Sequence, residues 1–463
     1  MRLDQEIESL REDLIRAVQE CIQIKSVKDM ELAGPEAPFG PGIKSALDWA
    51  LNLGESLGFE VRNIDGYVGE IEMGSGEPIG ILGHLDVVPE GDGWTVPPYS
   101  GVIQDGRIYG RGALDDKGPT LAALFAMKAI KDAQIPLSKQ IRLILGTDEE
   151  SGWADMDYYL KQQQIPHIGF APDAAFPLIH AEKGILHLEL TREYRALPHI
   201  VGMAGGERAN VVPDFCQLTL RNLSGQAVLA KLNEFIFPPS VTCSVKELDN
   251  SDLQLTVHGV GAHGSMPQNG HNAVLYALRF INTLPLSEAE GTILAWLVEH
   301  LGAGFYGEGL NITFEDEPSG RLSQNLGILE LGPSGIRVVL DIRYPVTFQA
   351  EDVLEPVRKQ AQALDMKVKV LTHQEAHHVP KDSPLVQSLL KAYGDVTGLE
   401  PYAFAIGGGT YAKVLPQGVA FGPVLPGDPE VIHCADEYIS IDNLMLTTKV
   451  YAEAILNLAL DEA

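Results

Sequence analysis

Three short apolar segments, each followed directly by a loop with histidine or acidic residues, constrain the fold of this chain more than any other sequence feature. The segments span residues 79–82 (IGIL), 141–145 (IRLIL) and 168–171 (IGFA). Between the first two, apolar residues recur at helical spacing over 119–133. Because strand–helix–strand order is typical of α/β layers, we predict an α/β domain with a mostly parallel sheet.

The loops after these strands, and one loop before the helix, concentrate side chains that bind metal ions. They read GHLDVVP, DEESG and APD after the three strands and GRGALDDKG before the helix. The side chains of interest are His84, Asp115, Glu149, Glu150 and Asp173. Since ligand sites in open α/β sheets lie beyond the carboxyl ends of the strands, we expect these side chains to converge at one edge.

Taken singly, each of these residues has an ordinary structural explanation. A lone histidine is often structural, paired glutamates are commonly solvated charge, and an aspartate after proline is often a turn residue or an N-cap. Their joint placement after successive strands instead favours a pair of divalent ions, and imidazole and carboxylate suit zinc, manganese or cobalt. Asp86, two residues after His84, is spaced to contact that imidazole.

The cysteine content and the charge narrow the classes of function. The four cysteines form no C-x-x-C pair, so neither a disulfide scaffold nor a cysteine zinc site is expected. The formal charge of -29 repels nucleic acid and anionic membranes, or simply favours solubility. No apolar run is long enough to span a bilayer, and the N-terminus lacks the traits of a signal peptide. We expect a cytoplasmic protein with no nucleic-acid or membrane partner.

The middle of the chain has a different pattern from its two ends. Amphipathic strands and helical patterns alternate in it without the strand–helix–strand order of the first part. This mixture predicts a separate α+β domain inserted into the α/β domain. The predicted boundaries are 1–183 for the first part of the catalytic domain, 184–382 for the inserted domain and 383–463 for the second part of the catalytic domain.

Taken together, the motifs closely resemble a family of co-catalytic metallopeptidases. GHLDVVP, GRGALDDKG, DEESG and APD match the proteins that include aminoacylase, acetylornithine deacetylase, succinyl-diaminopimelate desuccinylase and carnosinase. The match continues, in order, through GAHGSMP (261–267), GGGTYA (407–412) and HCADE (433–437). Within this family, LDDKGP, the long middle segment and IGGGTYA most resemble the bacterial peptidase V type of dipeptidase.

The resemblance implies a ligand set for two divalent metal ions. His84 and Asp173 would bind one ion, Glu150 and His433 would bind the other, and Asp115 would bridge both. Zinc is the expected metal, with manganese and cobalt as alternatives.

The resemblance also implies roles for residues that do not bind metal. Glu149 would be the general base, and Asp86 would orient His84. The peptide bond between Asp115 and Asp116 would be cis.

The inserted domain resembles the lid of this family, which binds substrate. His263 would stabilise the developing oxyanion. Asn210 and Arg343 would contact the substrate, with the planar guanidinium of Arg343 suited to a carboxylate, although it is also explained as a salt-bridge residue at a strand end. Gly408 lies in a glycine run that lets the backbone approach substrate or simply forms a loop. The long middle segment favours a monomer.

The function implied is a metal-dependent dipeptidase that hydrolyses small Xaa–Xaa peptides. The alternative within the family is a deacylase of N-acyl amino acids. A non-catalytic metal-binding or scaffold protein would lack some of these residues, yet all are present. A protein that acts through lid-mediated interactions has no support beyond the size of the middle segment.

Overall fold

A computed structural model describes residues 3–194 and 197–460 of the chain, which form two compact units. The first unit consists of the residues up to His180, of His378–Phe404 and of the residues from Gly409 onward. The second unit consists of Ala181–His377 and Ala405–Gly408. The short segment Ala405–Gly408 therefore belongs with the second unit, whereas we placed it in the part of the catalytic domain that begins at 383.

The described residues contain α-helices in both units, and the helix predicted over 119–133 is confirmed as α4 (Lys117–Asp132). They are α1 (Asp4–Ser9), α2 (Arg11–Ile22), α3 (Pro41–Ser56), α4 (Lys117–Asp132), α5 (Ala154–Gln162), α6 (Gly225–Glu234), α7 (Ala273–Ile281), α8 (Glu288–Leu301), α9 (Ala350–Gln362), α10 (Pro384–Thr397) and α11 (Ile441–Ala459). Short 3₁₀ turns cover Pro267–Asn269, Glu308–Leu310 and Tyr411–Val414.

The strands include every segment that the sequence predicted as a strand. They are β1 (Glu60–Ile64), β2 (Val68–Met73), β3 (Pro78–His84), β4 (Val102–Gln104), β5 (Arg107–Tyr109), β6 (Gln140–Gly146), β7 (Ile168–Ala171), β8 (Ala174–Ala175), β9 (Ile179–Glu182), β10 (Gly184–Glu193), β11 (Ile200–Gly205), β12 (Phe215–Leu220), β13 (Thr242–Glu247), β14 (Leu253–His258), β15 (Glu315–Asp316), β16 (Gly320–Arg321), β17 (Ser323–Leu331), β18 (Gly335–Tyr344), β19 (Lys367–Gln374), β20 (His377–His378), β21 (Phe404–Ile406), β22 (Gln417–Ala420), β23 (Pro423–Val424) and β24 (Tyr438–Ser440).

The main sheet of the first unit is mixed rather than mostly parallel. Six of its strands follow the order β1-β2-β6-β3-β7-β22, and the four strands from β6 to β22 are parallel to one another. Strand β2 runs antiparallel to both β1 and β6. The turn between β1 and β2 places Asp65 and Gly66 at positive φ, which is typical of tight hairpins, and a hairpin enforces antiparallel pairing.

Helix α4 explains why this unit forms a stable layer. Its apolar side chains, among them Leu121, Leu124 and Phe125, are buried. Apolar residues on all sides are typical of a helix enclosed by other elements, and α4 packs against β3, α2 and α11. Full burial of each leucine or phenylalanine stabilises the fold by roughly 1.5–3 kcal/mol.

Parallel pairing sets the position of the loops that carry the candidate ligands. In the register of β3 and β6, His84 pairs with Gly146, so both strands end at the same level. Strand β7 runs parallel to β3 and ends at Ala171. The three following loops therefore leave the sheet at the same edge, as the strand pattern predicted.

The second unit contains an eight-stranded antiparallel sheet with helices. Its strand order is β13-β14-β12-β11-β17-β18-β10-β19. The longest pairing joins β10 to β18, from Gly184 opposite Tyr344 to Glu193 opposite Gly335. Buried leucine, isoleucine and valine side chains of the sheet pack with α7, α8 and α9 into a separate hydrophobic core.

Within the part of the chain that the structure describes, no helix has both the length and the apolar character needed to cross a bilayer.

Candidate metal centre

The five residues predicted to bind metal lie together in the first unit. Nε2 of His84 is 3.0 Å from Oδ1 of Asp115 and 3.7 Å from Oδ2 of Asp173. Nε2 of His433 is 3.1 Å from Oδ2 of Asp115 and 3.0 Å from Oε1 of Glu150. Each oxygen of the Asp115 carboxylate thus faces a different histidine, which is the arrangement that a bridging carboxylate requires.

Two groups of side chains have ligand atoms close enough to hold one ion. One group is His84, Glu149 and Asp173, and the other is His84, Asp115 and Glu150, with all ligand atoms of a group within 4.8 Å of one another. Glu149, the predicted general base, and Glu150, a predicted ligand, each belong to one of these groups. Distance alone does not separate the roles of the two glutamates.

The carboxyl groups of this cluster destabilise one another's charges. Burial raises the pKa of Glu150 to about 7 and that of Asp173 to about 6, and the charge of Asp115 adds to both shifts. Burial and the charge of Asp173 raise the pKa of Glu149 well above its usual value. For His433, burial lowers the pKa, but hydrogen bonds with Asp115 and Glu150 raise it overall to about 11.

The residues present fit a pair of divalent cations. Four carboxyl groups and two imidazoles converge in a mostly buried space, and oxygen and imidazole nitrogen are ligands of zinc, manganese and cobalt. Divalent cations would supply the positive charge that this concentration of carboxylates lacks.

Asp86 supports the site through both its backbone and its side chain. Its carbonyl oxygen is 3.0 Å from Nδ1 of His84, so Nε2 is the nitrogen that faces the ligand cluster. Its carboxylate lies 3.4 Å from Nδ1 and accepts hydrogen bonds from the backbone N–H groups of Glu149 and Glu150, both at 3.1 Å. The residue that we predicted to orient His84 therefore also fixes the loop that carries both glutamates.

The Asp115–Asp116 peptide bond is cis, as predicted. The carboxylate of Asp116 accepts hydrogen bonds from the backbone N–H of His84 at 3.2 Å and from the hydroxyl of Thr120 at 2.8 Å. Asp116 thereby connects the loop after β3 to the start of α4.

Asp155 and Tyr411, for which we predicted no role, also support the site. The buried carboxylate of Asp155 accepts hydrogen bonds from the backbone N–H groups of Thr147 and Asp148, at 2.7 and 3.1 Å, and from the Tyr411 hydroxyl at 2.5 Å. Together with Asp86, it binds the four consecutive amides from Thr147 to Glu150. Tyr411 belongs to the GGGTYA motif, which could have indicated a role for it. Asp155 belongs to no motif that we identified in the sequence.

The N-terminal segment also supports the site, and no sequence pattern indicated this. Ser26 donates its hydroxyl to the carbonyl of Leu85 at 2.6 Å, and Lys28 forms a 2.6 Å ion pair with the buried Asp148. The buried ammonium of Lys117 donates to backbone carbonyls just beyond the end of α2 and within it.

The remaining predicted site residues belong to the second unit. His263 is exposed, and its Nδ1 is 2.7 Å from the hydroxyl of Ser265. The carbonyl of Asn210 accepts a hydrogen bond from the backbone of the same loop, at Gly264. Their roles toward substrate stay predictions.

Arg343 is buried and held on two sides. Its Nε and Nη2 donate to the two carboxylate oxygens of Asp341 at 2.6 and 2.9 Å, and its Nη1 donates to the carbonyl of Gly407 at 2.8 Å. The neighbouring Gly408 is partly exposed. The contact with Gly407 places Arg343 beside the glycine run of the GGGTYA motif.

Comparison with known proteins supports the family resemblance. Residues 80–457 match the model of peptidase family M20/M25/M40. The chain is 40% identical over 466 residues to "Putative dipeptidase YtjP" of Bacillus subtilis, with 99% of this chain and 100% of that protein covered. A protein of Staphylococcus haemolyticus, also named as a putative dipeptidase, is 35% identical over 465 residues and is covered to 99%, as is this chain.

Solved structures share the fold at low sequence identity. Human carnosine dipeptidase 1 is 17% identical with a TM-score of 0.58, and the match covers 99% of both chains. Aminoacylhistidine dipeptidase from Vibrio alginolyticus is 14% identical with a TM-score of 0.60, and the match covers 97% of both chains. By its sequence match over most of its length, the chain belongs to peptidase family M20/M25/M40.

Proposed function

We propose that this peptidase is a metal-dependent dipeptidase that cleaves the peptide bond of small Xaa–Xaa substrates. The observation that carries the proposal is the Asp115 carboxylate, whose two oxygens face His84 and His433 at 3.0 and 3.1 Å. A bridging carboxylate between two histidines is the centre of a two-ion hydrolytic site. Full-length relatives named as dipeptidases support the substrate class.

We assign the ligands as the sequence predicted them. His84 and Asp173 would hold one ion, Glu150 and His433 would hold the other, and Asp115 would bridge both. When bound, the two ions supply Lewis acidity that polarises the scissile carbonyl and makes water a better nucleophile. Zinc is the metal that we propose, with manganese and cobalt as alternatives.

Glu149 is the proposed general base. It takes a proton from the attacking water and passes it to the departing amine. Its main chain is fixed on both sides, because its N–H donates to Asp86 at 3.1 Å and its carbonyl accepts from the indole N–H of Trp153 at 2.8 Å. A base with a fixed backbone can take up this proton and deliver it from one position.

His263 is the proposed donor to the developing oxyanion. Because its Nδ1 is engaged by the Ser265 hydroxyl, we assign the hydrogen bond to its Nε2. We assign Asn210 and Gly408 to substrate binding through polar and backbone contacts.

Arg343 is the proposed partner of the substrate carboxylate. A guanidinium has five N–H groups, and three of those in Arg343 donate to Asp341 and Gly407. Among the described residues, none accepts a hydrogen bond from the other two. One lies on Nη1 and one on Nη2, which suits two-point recognition of a carboxylate.

The decisive experiment compares unmodified dipeptides with N-acyl amino acids after metal removal and replacement. We expect hydrolysis of dipeptides with a free amine, restored by zinc, manganese or cobalt. Preferential hydrolysis of N-acyl amino acids would make the enzyme a deacylase. Absence of hydrolysis in a metal-loaded protein would contradict both assignments.

We also propose that the enzyme is a cytoplasmic monomer. The four cysteines, Cys21, Cys216, Cys243 and Cys434, are all unpaired, which fits a reducing compartment. Cell fractionation and light scattering of the purified protein test the two parts of this proposal separately.

A further inference from the structure

Glu437, the last residue of the HCADE motif, has a fully buried side chain with three hydrogen-bond partners. Its Oε1 accepts hydrogen bonds from the backbone N–H groups of Leu114 and Asp115, at 2.9 and 3.2 Å. Its Oε2 forms a 2.7 Å ion pair with Arg111, and the exposed fractions of the two side chains are 0% and 2%. The carboxylate therefore contacts the backbone of the proposed bridging residue directly.

The main chain around Glu437 reinforces this contact. Its carbonyl accepts a hydrogen bond from the N–H of Gly110 at 2.9 Å. The next strand, β24, pairs with β5 so that Tyr438 lies opposite Tyr109. Glu437 therefore accepts hydrogen bonds from both ends of the loop from Gly110 to Asp115.

The segment before Glu437 carries His433 in an unusual backbone conformation. His433 and Asp436 have φ values of +60° and +57°, in the left-handed region that costs energy for residues other than glycine. Asp436 is held by hydrogen bonds from the backbone N–H and the hydroxyl of Thr95, at 2.8 and 2.9 Å. A conformation of this kind persists when its surroundings fix it on both sides, and Glu437 fixes the following side.

Stability alone does not account for a buried ion pair between Glu437 and Arg111. Two buried charges lose hydration, and a well-packed apolar pair of similar volume is often equally stable. An apolar side chain, however, cannot accept hydrogen bonds from two successive amides. The function that requires a carboxylate at this position is the orientation of the Leu114–Asp115 backbone.

We propose that Glu437 is a positioning residue that holds Asp115 and His433 in register before a metal ion binds. The inference rests on the proposed function, because it assigns these two residues to a metal site. Loss of residues that orient metal ligands typically lowers metal affinity by about 10–100-fold. The three partners of the Glu437 carboxylate all lie between Arg111 and Asp115, so its effect should appear in metal binding.

Glu290 of the second unit provides a matched control. Its side chain is also fully buried, and its Oε1 accepts hydrogen bonds from two successive amides, those of His199 and Ile200, at 2.7 and 2.8 Å. Its Oε2 pairs with the imidazole of His199 at 2.7 Å. The two glutamates have the same kind of environment, but only Glu437 is bonded to a ligand-bearing loop.

The experiment titrates the metal-free full-length protein with Zn²⁺ and follows binding by calorimetry. The variants are Glu437→Ala and Glu437→Asp, with Glu290→Ala and Glu290→Asp as controls. We expect both Glu437 variants to bind at least one ion about 10–100-fold more weakly, while the Glu290 variants keep wild-type affinity. Glu437→Asp keeps the charge but shortens the reach, so it tests position even if Glu437→Ala does not fold.

The outcomes separate this inference from the proposed function. Wild-type affinity in the Glu437 variants, or an equal loss in the Glu290 variants, would overturn the positioning role alone. Failure of the wild-type protein to bind two ions would instead overturn the proposed function.

Discussion

The ligand-bearing loops of the first unit and the GAHGSMP loop (261–267) of the second unit are held in different ways. In the first unit, the buried carboxylates of Asp86, Asp155 and Glu437 each accept hydrogen bonds from two successive backbone amides. In the second unit, His263 is exposed, and its ring is engaged by the neighbouring Ser265. Ligand geometry must be correct before an ion arrives, whereas contacts to a substrate can adjust as it binds.

The largest expected effect separates the two adjacent glutamates of the rigid loop. Glu149→Ala should lower kcat by about 10⁴-fold, the upper end for general acid–base catalysis, because Glu149 serves both proton transfers. It should retain two metal ions by elemental analysis, whereas Glu150→Ala should lose one. If Glu149→Ala also loses an ion, Glu149 is a ligand and the division of roles is wrong.

The second-largest effect is expected in the second unit, at the exposed His263. His263→Ala should lower kcat by about 10²–10³-fold, because an oxyanion donor acts mainly in the transition state. Metal content should not change. His258→Ala, another exposed histidine of the second unit, serves as the control, and an unchanged kcat in His263→Ala would return His263 to a structural role.

A smaller effect tests whether the DEESG loop must be rigid. Tyr411→Phe removes a hydrogen bond to the Asp155 carboxylate, and we expect kcat to fall about tenfold and unfolding free energy by about 1.5–3 kcal/mol. The control is Tyr451→Phe, which removes a buried hydroxyl bonded to the carbonyl of Phe421 at 2.9 Å. Both variants should lose stability. An equal change of kcat in both would contradict a specific role of Tyr411.

The smallest effect on catalysis is expected from the control glutamate of the second unit. Burial alone would raise the pKa of Glu290, but hydrogen bonds from His199 and Ser287 lower it overall to about 2. Its usual pKa is 4.5, so its stabilising contribution is present above that pH and is lost as the pH falls toward 2. Glu290→Gln should flatten the dependence of the urea midpoint on pH in that range, with kcat unchanged at neutral pH. If the urea midpoint of Glu290→Gln depends on pH as steeply as that of the wild type, Glu290 does not supply this pH-dependent stability.

The sequence predicted the convergence of the ligands because that property depends on local patterns. Apolar runs that end at Leu82, Leu145 and Ala171 identify parallel strands, and parallel strands present their following loops at one edge. The antiparallel pairing of β1 and β2 at the edge of the sheet was not predicted. We had expected the edge strands to be parallel, like the central ones. The hairpin signal at Asp65 and Gly66 was available but was not used.

The hydrogen bonds from backbone amides to the carboxylates of Asp155 and Glu437 could not be predicted, for a physical reason. Glu437 and Asp115 are 322 positions apart, and Ser26 and Leu85 are 59 apart. A hydrogen bond to a backbone amide places no requirement on the side chain of the residue that donates it. Nothing in the amino-acid pattern around Leu114 or Thr147 therefore records that a distant carboxylate binds its N–H.

The discontinuous first unit has a consequence for the order in which a ribosome makes the site. His84, Asp115, Glu149, Glu150 and Asp173 emerge first, whereas His433 and Glu437 follow Asp173 by about 260 residues, which takes roughly 13–50 s at typical elongation rates. During that interval the growing chain carries the acidic loops without the segment that anchors Asp115. Peptidase activity would then begin only after residues 433–437 have been made.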